Sequence, residues 1–183
     1  MNPLRLGQWA LAAALSATTL TGCASMSVYS FQERGTDFAR YHTYNWAVDT
    51  PRSTGDPRLD NNPFFNDRVH EAVDVVLARR GYEKTTTGTP DLLLHFHASI
   101  NQQLDLAGID AKYGCDSCTP YVYDAGTLLI DLVDGRTEKL AWRGWSEGSL
   151  DGAIDNQRLM EARIDEAVAK ILDKLPHRLG HRS

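Results

Sequence analysis

The stretch that most constrains the fold is Asp91–Ile100, in which two kinds of side chain alternate. Successive side chains of a strand point to opposite faces of a sheet, so this alternation predicts a strand with one buried and one mixed face. The buried set is Leu92, Leu94, Phe96, Ala98 and Ile100, and the mixed set is Leu93, His95, His97 and Ser99. Such a strand needs a second layer to cover its apolar face.

Two segments have the apolar spacing of helices that could form this layer. Residues 62–80 start with Asn62 as N-cap and Pro63 at the first helical position, and Gly81 supplies the left-handed residue that ends a helix. Residues 156–175 precede Pro176 and carry a stripe made of Leu159, Met160, Ile164, Ala167, Val168, Ile171, Leu172 and Leu175.

The remaining strands are predicted at residues 28–31, within 38–48, and in a hairpin of 127–133 and 139–145 that turns at Asp134-Gly135. Tyr44, Trp46 and Val48 alternate on one face of the second of these. Residues 49–61 and 101–124 are predicted as loops. The element order β-β-α-β-β-β-α predicts an α+β fold, a two-layer sandwich in which a mostly antiparallel sheet of about five strands has two helices on one face.

The N-terminus has the pattern of a secretory signal, with Arg5 before an apolar core that is too short to span a membrane. Its last residues, Leu20-Thr21-Gly22-Cys23, resemble the lipobox of bacterial lipoproteins. That resemblance implies cleavage before Cys23, a diacylglycerol on its thiol and an acyl chain on its new amine. An ordinary signal peptide with another cleavage site, which would leave Cys23 a plain thiol, is the alternative.

The predicted organisation is therefore a signal peptide (1–22), a lipidated cysteine with a short tether (23–27), one globular domain (28–176) and a frayed tail (177–183). In Gram-negative lipoproteins an Asp after the cysteine commonly retains the protein in the inner membrane. Ala24 stands there instead, so a Gram-negative source would place the domain on the inner leaflet of the outer membrane, facing the periplasm.

The charge balance excludes two classes of partner. The chain has 19 basic and 24 acidic residues, a formal net charge of −5, and no Lys/Arg cluster. An acidic domain of this kind is a poor nucleic-acid binder. It also lacks the polybasic patch that attracts anionic lipid, so membrane attachment is expected to depend on the acyl chains.

Cys115-Asp-Ser-Cys118 lies in the predicted loop of residues 101–124. In an oxidising compartment such a pair is expected to form a structural disulfide. A thiol-disulfide redox centre, a metal site or free thiols are the alternatives.

His95 and His97 fall on the same strand face, roughly 7 Å apart. With a third ligand from Asp131, Glu147 or the reduced cysteines they could chelate a transition metal. The simpler interpretation is two polar side chains on the outer face of the sheet, without a metal. A metal- or redox-responsive protein that uses both pairs is the alternative function.

The hairpin offers further candidates. Asp131, Arg143 and Glu147 could form a charged cluster, although a solvated cross-strand salt bridge is the simpler expectation. Trp142 and Trp145 should lie on opposite faces, with Trp142 in the core, unless a bulge intervenes. The predicted contact face, exposed opposite the helices, consists of Leu93, His95, His97, Arg143 and Trp145.

Several segments together resemble a large family of bacterial envelope lipoproteins of unknown function. They are Asp37-Phe38-x-x-Tyr41-x-Thr43-Tyr44-x-Trp46, Arg80-Gly81-Tyr82, Pro90-Asp91-Leu92, Gly126-Thr127-Leu128-x-Ile130-Asp131-Leu132-x-Asp134 and Trp142-Arg143-Gly144. The resemblance implies a lipid-anchored, periplasm-facing domain. It supplies no catalytic residues and does not include the cysteine pair.

No phosphate-binding loop, nucleophile elbow or metalloprotease helix occurs in the sequence. We therefore expect a protein that is not an enzyme and needs no cofactor beyond its covalent lipid. The predicted function is a binding or adaptor module whose partner is another protein of the envelope.

Overall fold

The computed structural model describes residues 26–48, 54–60, 62–105 and 121–177. Cys23, Cys115 and Cys118 lie outside these residues. The predicted lipidation site and disulfide therefore stay predictions.

A single mixed sheet and two helices make up the described fold. In chain order the elements are β1 (Met26–Gln32), a 3-10 turn (Phe38–Arg40), β2 (Thr43–Trp46), α1 (Pro63–Arg79), β3 (Glu83–Lys84), β4 (Leu92–Asp105), β5 (Tyr121–Asp134), β6 (Leu140–Ser149) and α2 (Gln157–Asp173).

The strands lie in the order β1-β6-β5-β4-β2-β3. Neighbouring strands are antiparallel in the series β1-β6-β5-β4, whereas β2 is parallel to both β4 and β3. The predicted α+β class is confirmed. The sheet has six strands rather than about five, because β3 is two residues long and too short to show a period.

Both helices pack on the same face of the sheet and share one core with it. Leu94, Ile130 and Leu132 of the central strands are inaccessible to solvent, as are Val73 and Ile171 of the helices. Burying each such side chain stabilises the fold by about 1.5–3 kcal/mol. The alternation of residues 91–100 is confirmed, since Leu92 and Leu94 are fully buried and Leu93 lies on the other face.

The predicted helix boundaries are confirmed. The Asn62 side chain accepts a hydrogen bond from the Phe65 N–H, and the Asn156 side chain accepts one from Leu159. Gly81 has φ 81° and follows the end of α1, where the Tyr82 N–H donates to the Leu77 carbonyl. Leu159 is an exception to the predicted stripe: it is 49% exposed, because Met160 occupies the core-facing position of that turn.

The strand predicted within residues 38–48 is shorter than expected. The backbone of residues 38–40 forms a 3-10 turn, and only Thr43–Trp46 pairs with the sheet. Tyr44 is buried, but Val48 is fully exposed because the chain has already left the sheet.

The loop predicted over residues 101–124 is also shorter. Strand β4 continues to Asp105 and β5 begins at Tyr121, and within the described part of the chain these ends pair with each other. Their exposed polar residues, such as Gln102 and Gln103, carry no apolar period from which a strand could be predicted.

The hairpin between β5 and β6 turns where predicted, but through five residues, 135–139. The register shifts by one residue between Leu132 and Val133 and is regular from Trp142 to Ser149. Gly144 is therefore not in a bulge, and the two tryptophans lie on opposite faces as predicted. Trp142 is 1% exposed in the core.

Candidate functional site

The face of the sheet opposite the helices, here called the open face, carries all five residues of the predicted contact face. Cross-strand pairing aligns His95, Asp131, Arg143 and Phe31 in one row. The next row contains His97, Leu129, Trp145 and Tyr29. The central part of the open face consists of Tyr29, Phe31, Leu93, His95, His97, Leu129, Asp131, Val133, Arg143 and Trp145.

Aromatic side chains dominate the β1–β6 side of the open face. The rings of Tyr29 and Trp145 stack with their centroids 5.3 Å apart and their planes 26° apart. Tyr29 is 47% exposed and Phe31 is 52% exposed. Sequence reasoning missed these two residues as part of the face, because it could not show that the N-terminal strand pairs with β6. The alternation of Tyr29 and Phe31 with Val28 and Ser30 was the available sequence signal that these two aromatic side chains share one face of their strand.

A half-buried ion pair lies at the centre of the open face. Arg143 donates from Nε and Nη2 to the two carboxylate oxygens of Asp131 at 2.7 and 2.6 Å. The Asp131 side chain is only 8% exposed and that of Arg143 is 41% exposed, so the expected cross-strand salt bridge is present but is shielded from solvent at its Asp131 end. Hydrogen bonding to Asp131 raises the pKa of Arg143 above its ordinary value. Glu147 is exposed and lies opposite Thr127 in the strand register, two pairs along from Asp131 and Arg143, and the described ion pair of Arg143 is with Asp131.

The two histidines lie on the open face without a described third metal ligand. His95 is paired with Asp131, whose oxygens both accept from Arg143. Among residues 26–48, 54–60, 62–105 and 121–177, no three His, Cys, Asp or Glu side chains form a group that could hold a metal ion. A metal site would therefore depend on residues that the structure does not describe.

A second polar cluster, the Asp134 corner, joins the end of the 3-10 turn, just before β2, to the β5–β6 turn. The carboxylate of Asp134 accepts hydrogen bonds from the Tyr41 hydroxyl (2.9 Å) and from the N–H groups of Arg136 (3.0 Å) and Thr137 (2.9 Å). It also forms an ion pair with Arg40. Burial opposes ionisation of Asp134, but these hydrogen bonds outweigh it and hold the pKa well below its ordinary value.

Asp91 extends this corner to the start of β4. Its carboxylate accepts from the N–H groups of His42 (2.8 Å) and Thr43 (3.0 Å), and its carbonyl accepts from the Gly135 N–H (2.9 Å). Three of the five segments that carry the family resemblance thus meet here, those that contain Tyr41, Asp91 and Asp134. Their charged groups are engaged by the fold itself, which gives these residues a structural role.

A third cluster surrounds Asp74 of α1. One carboxylate oxygen accepts from the Tyr44 hydroxyl and the Trp46 indole N–H, each at 3.0 Å, and the other accepts from Lys84 at 2.8 Å. The His70 ring stacks on Trp46 with a centroid distance of 4.0 Å. No sequence motif suggested this cluster, because its members come from β2, α1 and β3.

His70 should make the stability of the fold depend on pH. Its partial burial lowers the pKa of the imidazole, so the folded state favours the neutral ring. The unfolded chain binds more protons below its pKa of about 6.5, and stability is therefore complete above this pH and decreases as pH falls through it. We expect the decrease in unfolding free energy between pH 7 and 5, measured by urea denaturation, to be smaller in His70→Gln. His177 is exposed, so His177→Gln should show the same decrease in unfolding free energy as the wild type. An equal pH dependence of the unfolding free energy in all three proteins would contradict a role for His70.

An apolar cavity of about 60 Å³ lies between the two helices and the sheet, beside Ile100, Leu128 and Met160. Ligand pockets usually have volumes of about 300–1,000 Å³. The volume of this cavity is therefore below the usual range for ligand pockets. No helix in the described part of the chain is both long and apolar enough to cross a membrane.

Comparison with known proteins identifies the domain. The domain of unknown function DUF4136 matches residues 27–177. A DUF4136 family protein from Bacteroides thetaiotaomicron has a similar fold, with a TM-score of 0.55 and 14% identity over 84% of this chain and 97% of that one.

A PDZ domain protein from Parabacteroides distasonis superposes with a TM-score of 0.53 and 13% identity over 84% of this chain. The chain spans only 37% of the length of that protein. No curated protein matches the sequence. At these identities the two structures establish the fold alone, whereas the family match covers most of the sequence. The chain belongs to the DUF4136 family, whose function is unknown.

Proposed function

We propose that this protein is a lipid-anchored, periplasm-facing lipoprotein of the cell envelope that binds another envelope protein through its open face. It acts as a binding or adaptor module and not as an enzyme. The observation that carries this proposal is the row of aromatic side chains on the open face, where Tyr29 and Phe31 are about half exposed and Tyr29 stacks on Trp145.

The chemistry of the open face suits a protein partner. Tryptophan, tyrosine and arginine are the residues that contribute most to binding energy at protein interfaces. The Tyr29–Trp145 stack and the Asp131–Arg143 pair already hold three such side chains in place (Tyr29, Trp145 and Arg143), so binding costs less conformational entropy. Arg143 uses Nε and Nη2 in its ion pair, and Nη1 can donate to a carbonyl or carboxylate of the partner.

The position of Cys23 supports a partner at the membrane surface. Strand β1 begins at Met26, three residues after Cys23. At about 3.5 Å per residue, a tether of this length reaches only about 10 Å. A lipid on Cys23 would thus keep β1, with Tyr29 and Phe31, close to the bilayer.

Site-specific photo-crosslinking tests the binding surface. An aromatic amino acid with a benzophenone group would replace Trp145 in one variant and Phe64 in another. Phe64 is the matched control because it is 76% exposed and lies at the start of α1, on the helix side of the sheet. After irradiation of intact cells, position 145 should give a product with one other envelope protein and position 64 should not. No product, the same product from both positions, or a product of the chain with itself alone would contradict the proposal.

Cys23→Ser should detach the protein from the membrane. Each buried methylene of an acyl chain contributes about 0.8 kcal/mol to membrane attachment, so several chains together hold a protein almost permanently. We expect Cys23→Ser to abolish labelling by palmitate and to leave the chain outside the outer-membrane fraction. Cys115→Ser changes a cysteine of the predicted disulfide and leaves the predicted lipidation site intact. This variant should therefore remain labelled and membrane-bound. Wild-type localisation of Cys23→Ser would show that the cysteine is not the anchor.

A further inference from the structure

The two edges of the sheet differ in how they are protected from further strands. The edge strand β3 has two residues, both charged, and its Lys84 is bonded to Asp74. At the other edge, β1 has seven residues without a charge or a proline, and its register with β6 is unbroken. Natural sheets usually protect exposed edges by short strands, charges, prolines or bulges. β1 has none of these devices, and within the described residues it pairs with β6 alone.

The polar groups that β1 turns outward can be assigned from its ladder with β6. The Glu33 N–H donates to the carbonyl of Ala141, which continues the register of this strand pair. Along an antiparallel strand, residues whose N–H and C=O groups point toward the paired strand alternate with residues whose groups point away from it. The N–H and C=O groups of four residues therefore point away from β6: Met26, Val28, Ser30 and Gln32.

A groove of about 500 Å³ runs beside this edge, between β1 and α2. Met26 and Val28 form its strand side, and Ala169, Lys170, Asp173 and Lys174 of the helix form the other. A strand added to β1 would direct every second side chain toward this groove. In this mode of recognition, backbone hydrogen bonds provide affinity and the spaces for alternate side chains provide specificity.

We propose that β1 pairs antiparallel with β1 of a second copy of this chain, about a two-fold axis at Tyr29, to form one continuous twelve-stranded sheet. In this register Met26 faces Gln32 of the second copy and Val28 faces Ser30. All four outward residues of each strand are then hydrogen-bonded. Because β1 is uncharged, no like charges oppose each other across the new pair. The contact is isologous and closes at two copies, which leaves only the charged β3 strands as edges.

The side chains fit the same arrangement. On the helix side, Ser30 and Gln32 of the second copy enter the groove, where Lys170, Asp173 and Lys174 can bond the Gln32 amide. On the open face, Tyr29 lies against Tyr29 of the second copy, and the two Tyr29–Trp145 stacks become one row. The half-exposed Tyr29 and Phe31 become more buried. This dimer does not depend on the proposed partner, and it joins two open faces into one surface.

The mass of the full-length protein in mild detergent, measured by sedimentation with the bound detergent subtracted, tests the dimer. We expect twice the chain mass for the wild type. Ser30→Pro removes an outward N–H and no bond to β6, so dimerisation should weaken by at least about tenfold. Ser30→Ala keeps the N–H and should remain dimeric. A monomeric wild type, a larger assembly, or an undiminished dimer in Ser30→Pro would overturn the proposal.

Cysteine crosslinking tests the register and does not require Ser30→Pro to fold. Tyr29 faces itself across a non-hydrogen-bonded pair, in which Cα atoms are about 4.5 Å apart, within disulfide range. Tyr29→Cys should therefore form a 29–29 disulfide under mild oxidation, identified by the mass of the linked peptides. Ser27→Cys, on the same face of the same strand, faces Phe31 of the second copy and should form no 27–27 link. Linkage at both positions or at neither would exclude the two-fold axis at Tyr29.

Discussion

Replacement of Asp134 by alanine is expected to lower the free energy of unfolding by about 2–3 kcal/mol. The change leaves the Tyr41 hydroxyl and two backbone N–H groups without their acceptor and leaves Arg40 without its counter-ion. Unsatisfied donors at buried positions each cost about 1–3 kcal/mol, and Asp134 is only 3% exposed. Urea denaturation of Asp134→Ala, followed by tryptophan fluorescence, measures the loss.

Asp37→Ala is the matched control for this change. The Asp37 carboxylate accepts one backbone N–H, from Ala39 at 3.0 Å, at an exposed position. Its removal should cost about 1 kcal/mol. If Asp134→Ala were no more destabilising than Asp37→Ala, the corner would not have the structural role given to it.

The decrease in unfolding free energy caused by Asp134→Ala should also depend on pH. The pKa of Asp134 is lowered in the folded state, so its carboxylate contributes stability above the unfolded pKa of about 3.9. That contribution is lost as pH falls below this value, because protons then bind the unfolded chain first. The difference between the wild type and Asp134→Ala should therefore be constant from pH 5 to 7 and decrease below pH 4.

Gly135→Ala is expected to be similarly damaging, with a cost of about 3 kcal/mol. A Cβ atom at this position would lie 2.1 Å from the Pro90 carbonyl oxygen, which belongs to the backbone and cannot move as a side-chain end can. Inserting one carbon into a tightly packed site typically costs 1–3 kcal/mol, and a backbone overlap lies at the upper end of this range. The clash also threatens the hydrogen bond from the Gly135 N–H to Asp91.

Gly148→Ala separates this steric effect from the general effect of glycine replacement. A Cβ atom at Gly148 would be 3.6 Å from Met26, which is ordinary contact. We expect a change in melting temperature of only a few degrees for Gly148→Ala and a much larger decrease for Gly135→Ala. Similar decreases in both variants would show that the approach to Pro90 is not limiting.

Local patterns in the sequence were sufficient for much of the fold. The alternation of residues 91–100, the caps Asn62 and Asn156, and the left-handed Gly81 each act through neighbours within a few residues. Each was confirmed. The contact face was predictable in the same way, since strand alternation alone puts Leu93, His95 and His97 together.

The features that the sequence did not reveal depend on contacts between distant segments. Tyr29 joins the open face only because β1 pairs with β6, more than 100 residues away in the chain. The exposure of Val48 depends on where β2 leaves the sheet. The Asp134 corner and the Asp74 cluster are likewise made of polar residues that become partners only after folding.

Hydroxyl-radical footprinting of Trp145 most directly tests whether the open face is a binding surface. The oxidation rate of Trp145 would be measured in intact cell envelopes and in the purified protein, with Phe64 as the internal reference. Binding to an envelope protein predicts that Trp145 is several-fold slower to oxidise in envelopes, while Phe64 reacts equally in both. Equal rates for Trp145 in the two preparations would contradict a bound partner on the open face.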